Sequence, residues 1–94
     1  MSDVVTATVT VNGENGLHLV PCSLIAQSAG TFLSELEISK GTTTANAKNI
    51  FELMSLAAGK GTRLIISATG DDANDAINKL SELFEAGFPT PSAP

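Results

Sequence analysis

The sequence predicts an α+β fold, an antiparallel sheet covered on one face by helices. Three observations carry that reading. Alternating segments (Val4 to Val11, Leu33 to Lys40, Thr62 to Thr69) are interleaved with segments of helical period, in the order β-α-β-β-α-β-α. Both kinds of segment are apolar on one side only, the pattern of a sheet with one dry face and one wet face. The chain has 94 residues, 43% hydrophobic and 16% charged, which suits one small globular core and argues against disorder.

In the first strand, Val5, Ala7, Val9 and Val11 face one side and Val4, Thr6, Thr8 and Thr10 the other. Asn12 to Gly16 is a loop by composition. A helix follows, with Leu24, Ile25, Ser28 and Ala29 at helical spacing and Gly30 as its stop. The second strand places Leu36 and Ile38 on one face, Gly41 and Thr42 turn the chain, and Thr43 to Asn46 pairs back as a short hairpin strand. Lys48 to Ala57 reads as a helix with Ile50, Leu53, Met54 and Ala57 on one stripe, broken by Gly59-Lys60-Gly61. The last strand turns Leu64, Ile66 and Ala68 to one side. Ala73, Ala76, Ile77, Leu80, Leu83 and Phe84 form the buried stripe of the final helix, capped by Asp71 or Asp72 and ended by Gly87. Residues 1–88 are expected to form a single domain, with 89–94 a flexible tail.

The chemistry centres on His18, the sole histidine. Gly16 can take the angles of an abrupt strand-to-helix turn, and Pro21 suits a first helical turn, where its missing N–H costs little. His18 therefore falls at or beside a helix N-terminus, with the N–H groups of Leu19, Val20 and Cys22 close by. Such an end carries roughly half a positive charge and binds anions. A nucleophilic imidazole at an anion site suggests a phosphoryl acceptor.

Composition narrows the alternatives. The net charge of −5 and scattered basic residues argue against a nucleic-acid surface. One cysteine allows no internal disulfide, which fits a reducing compartment. No leader-like segment and no apolar run of about 18 residues is seen, so a cytoplasmic protein without membrane insertion is expected. Cys22 reads as a small buried residue, and one histidine with one cysteine is too few ligands for a structural zinc site. Asp71, Asp72 and Asp75 read as helix capping, so neither metal nor cofactor is expected. Gly59-Lys60-Gly61 lacks the phosphate-loop pattern. No acid–base pair near His18 is legible, so a self-contained enzyme is not expected.

Gly16-Leu17-His18 followed by Pro21 resembles the active-site signature of the histidine-containing phosphocarrier (HPr) family of the bacterial phosphotransferase system. Ala45 to Phe51 with Leu53 to Leu56 resembles that family's second-helix region. Gly61-Thr62 and Ile66 to Gly70 resemble its last strand, and Leu83 to Phe88 is similar to members serving nitrogen-related relays. The resemblance implies an open-faced β-sandwich, a four-stranded antiparallel sheet with three helices on one face. It implies a phosphocarrier rather than an enzyme, in which Nδ1 of His18 accepts a phosphoryl group from phosphorylated Enzyme I, supplied by phosphoenolpyruvate. The group then passes to a histidine or cysteine of a downstream acceptor protein, in sugar uptake or nitrogen-related regulation. Backbone groups of Leu19 and Val20 would hold the phosphate, and Leu19, Val20, Ile50, Phe51 and Met54 would dock partners on a monomer.

Two positions depart from the family's pattern. Most members carry an arginine two residues after the histidine, where this chain has Val20. A charge-assisted hydrogen bond contributes about 1.5–3 kcal/mol, so its loss corresponds to roughly tenfold to hundredfold slower transfer. Lys48, Lys60 and Arg63 are the candidate replacements. Asn49 stands where many members carry a serine phosphorylated by a regulatory kinase, so that control is not expected here. The competing readings are a regulatory binding module on the same fold that transfers no phosphate, and a ferredoxin-like sensing domain, which would need a ligand pocket or dimer interface.

Overall fold

The computed structural model of the protein describes residues 4–88; the tail expected at 89–94 lies outside them. The elements are β1 (Val4–Thr10), α1 (Leu19–Ala29), β2 (Glu35–Lys40), β3 (Thr43–Asn46), α2 (Ile50–Ser55), β4 (Arg63–Thr69) and α3 (Ala73–Glu85). The strands form one antiparallel sheet in the order β1-β4-β2-β3. The last strand therefore enters between the first two, and this joins β1 directly to β4.

Register explains why the alternation was so clean. Val9 pairs with Leu64, Ala7 with Ile66, and Ile66 in turn with Ile38, which faces Ala45. Leu36, Ile38, Ala45, Leu64, Ile66 and Ala68 are at most 2% exposed. They meet Ile25, Leu53, Leu80 and Phe84 from the three helices in one buried cluster. Thr6, Thr8, Thr10, Glu35, Glu37, Thr44 and Arg63 occupy the other face and are exposed. The architecture is the open-faced sandwich expected, helices on one side and water on the other.

Three local expectations are corrected. The second helix is shorter than Lys48 to Ala57: the N–H groups of Leu56 and Ala57 bond the carbonyls of Leu53 and Met54, three residues back, and Ala57 takes φ 50°. Lys40 Nζ donates to the carbonyl oxygens of Leu56 (2.8 Å) and Ala57 at that end. Asp72 holds the N-cap position of α3 without capping it. Its carboxylate accepts from the N–H groups of Leu33 (2.8 Å) and Ser34 (2.9 Å) and from the Ser34 hydroxyl. These bonds, the Ser34 hydroxyl foremost and then the Leu33 N–H, hold the Asp72 carboxyl below the usual carboxylate range. Leu83, placed in the stripe of α3, is only half-buried.

Candidate functional site

The loop leading to His18 is pinned at Gly16. That residue has φ +65°, and a Cβ there would collide with the carbonyl oxygen of Ala58 and lie 2.9 Å from the Gly59 Cα. Leu17 N–H then donates to the same Ala58 oxygen at 2.8 Å. The loop after α2 thus sets the height at which the chain enters α1, and only glycine permits the approach.

His18 is the N-cap of α1, in an extended conformation (φ −85°, ψ −169°), and its ring is exposed to solvent. Its Nδ1 accepts from the Val20 N–H at 3.5 Å, a long contact that turns Nδ1 toward the helix end. The donors at this end are fewer than expected. Cys22 N–H is taken by the His18 carbonyl at 3.2 Å, and His18 N–H by the Gly16 carbonyl at 3.1 Å. Pro21 has no N–H. Among the described residues at the tip, that leaves the Leu19 N–H for an anion, joined by the Val20 N–H when it gives up its long contact to Nδ1.

Cys22 lies beneath the site, fully buried, its Sγ 3.5 Å from the Leu17 carbonyl oxygen. Burial pushes its thiol up from the ordinary value, which suits packing and not nucleophilic work.

The docking candidates separate by exposure. Leu19 (56%), Val20 (42%), Phe51 (83%) and Met54 (41%) project into solvent, while Ile50 packs half-buried against the core. Ile50 and Phe51 line a groove of about 630 Å³ between α1 and α2, opposite Ser23, Ala26 and Gln27. The lysine candidates for replacing the missing arginine are engaged: Lys48 Nζ donates to the Phe32 carbonyl at 2.8 Å, and Lys60 pairs with Glu14. Arg63 stands on the outer face of β4, opposite Thr10.

One feature escaped sequence reasoning. A cavity of about 350 Å³ beside His18 is walled by Val11, Val20, Pro21 and Phe88. Phe88 reaches it through the ending of α3. Gly87 has φ +73°, and the N–H groups of Gly87 and Phe88 bond the carbonyls of Phe84 and Leu83. That pairing is a Schellman cap, and a glycine followed by an apolar residue is its sequence signal.

Residues 5–86 match the family model PTS-HPr, described as the PTS HPr component phosphorylation site. The chain belongs to the HPr family. Among its relatives, the phosphocarrier protein HPr of Haemophilus influenzae is 39% identical over 75 residues, covering 80% of this chain and 88% of the relative. That of Treponema pallidum is 35% identical over 85 residues, covering 90% and 97%. The crystal structure of HPr-C-His from Thermoanaerobacter tengcongensis superposes with a TM-score of 0.86 at 36% identity, covering 89% of this chain and 94% of that one. As an HPr-family member the protein is a phosphocarrier of the phosphotransferase system, not a catalytic enzyme.

Proposed function

We propose that His18 is the residue that carries the phosphoryl group, accepting it on Nδ1 from phosphorylated Enzyme I in a phosphoenolpyruvate-dependent relay in the cytoplasm. The observation that carries this reading is the exposed imidazole at the N-cap of α1, its Nδ1 turned to the helix end, where it accepts the Val20 N–H at 3.5 Å. In the transfer the Nδ1–P bond forms as the donor's bond to phosphorus breaks. The proton lost by His18 is balanced by one taken up by the donor's leaving atom. Val20 N–H then shifts from Nδ1 to a phosphoryl oxygen, where the charge makes it a stronger bond. A downstream histidine or cysteine takes the group by the reverse of these steps. Leu19, Val20, Phe51 and Met54, with Ile50 at the base, form the partner-docking surface.

Incubation with the Enzyme I of the same organism and ³²P-labelled phosphoenolpyruvate tests this. Acid-labile label on the wild type and none on His18→Ala is the expected result. An unlabelled wild type sinks the carrier reading and favours a binding module, the reading supported by a cavity beside His18 whose lining holds no lysine or arginine.

A further inference from the structure

Phosphoryl transfer brings roughly two negative charges to His18, and the protein offers little to meet them. At the helix tip stand the backbone N–H of Leu19 and that of Val20, the latter already donating to Nδ1. Of the five cationic side chains, Lys40 is bound at the end of α2, Lys48 at Phe32, Arg63 lies on the outer sheet face and Lys79 is exposed on α3, while Lys60 pairs with Glu14 on the loop that leads to His18. The cavity next to the ring has no lysine, arginine, aspartate or glutamate in its lining. The chain as a whole carries −5.

That cavity is also held open at a cost. Phe88 keeps φ 56°, a left-handed conformation that is strained for a bulky aromatic residue. It is fixed there by its N–H bond to Leu83 (2.9 Å) and by edge-on packing of its ring on Phe84, centroids 4.7 Å apart. An aromatic wall on one side and Val20 on the other leave an apolar socket beside the phosphoryl acceptor.

We infer that the phosphoryl-exchanging partner brings its own basic side chain to the phosphate and seats an adjacent apolar side chain in this socket. Val20 and Phe88 are thereby determinants of which partner is accepted. A positive group from the partner supplies the charge that the cavity lining lacks, and the acidic chain attracts it. The inference rests on His18 being the phosphoryl acceptor.

Transfer from the same organism's phosphorylated Enzyme I to the full-length protein separates this from a simple deficit. With the cation supplied by the partner, Val20→Arg fills the socket and opposes the incoming charge. KM then rises roughly tenfold or more. Phe88→Ala, which removes the opposite wall, raises KM several-fold, and wild-type KM rises with added salt. If the site merely lacks an arginine, Val20→Arg lowers KM or raises kcat, and that result overturns the inference. An unchanged KM in both variants also overturns it. Circular-dichroism melts establish that the variants are folded. A wild type that Enzyme I never labels refutes the carrier reading and this inference together, whereas a labelled wild type with insensitive variants refutes this inference alone.

Discussion

At Gly16 one hydrogen atom in place of a methyl group decides where the imidazole stands. Gly16→Ala forces a left-handed alanine against the Ala58 carbonyl. It is expected to destabilise the protein by about 2–5 kcal/mol, read as a lower urea midpoint, and to slow labelling of His18 as the loop shifts. Asp72 governs a different property. Its pKa is lower folded than unfolded, so its carboxylate adds stability above the unfolded value near pH 4. That stability is lost as pH falls through the folded value. Asp72→Asn is therefore expected to lower the melting temperature at pH 7 and to flatten its decline below about pH 4. A mutant melting curve parallel to the wild type's across that range would contradict this. Asp72 also shows where reading residues one at a time stops. Its acidity at a helix start suggested a cap, but its partners at Leu33 and Ser34 lie 39 and 38 positions away in the chain, and local sequence does not state such a pairing.

Elements whose period is repeated and whose ends carry a local signal were legible. β1, β2, β3 and β4 fall within a residue or two of their alternating segments, and α3 follows its stripe closely. α2 was over-extended because its end is set by tertiary contacts, above all Lys40 reaching across from β2 to the last carbonyls. Its start is local: Asn49 Oδ1 accepts from Phe51 N–H at 2.9 Å and Glu52 N–H at 3.2 Å. Asn49→Ala should cost about 0.5–2 kcal/mol in equilibrium unfolding, and Asn49→Ser much less, because serine also caps. Equal losses for both would show that the cap is not what asparagine contributes. In β4 the neighbours Ile65 and Ile66 point to opposite faces, at 48% and 0% exposure. Ile66→Ala is expected to cost about 2–5 kcal/mol and Ile65→Ala well under half of that, in the same denaturation experiment.

Across the whole molecule, the site belongs to the junctions and the sheet only holds them together. The loop after β1, the loop after α2 and the end of α3 meet around His18 because β4 lies beside β1 and ties them with the bonds Val11 N–H to Thr62 O (2.9 Å) and Gly61 N–H to Val11 O (2.7 Å). His18, Gly16 and Pro21 are adjacent in sequence, so the acceptor and its helix tip could be read directly. Val11 and Phe88 come from near the two ends of the fold, and their meeting at the ring was invisible before the topology was known. Among the described residues no helix is long and apolar enough to cross a membrane.

The most direct test is nuclear magnetic resonance of the ¹⁵N-labelled protein after phosphorylation by Enzyme I, with the phosphorus-coupled nitrogen assigned. One phosphorus bonded to Nδ1 of His18 is the expected result. Phosphorus on Nε2 of that ring, on another residue, or nowhere after exhaustive incubation would contradict it.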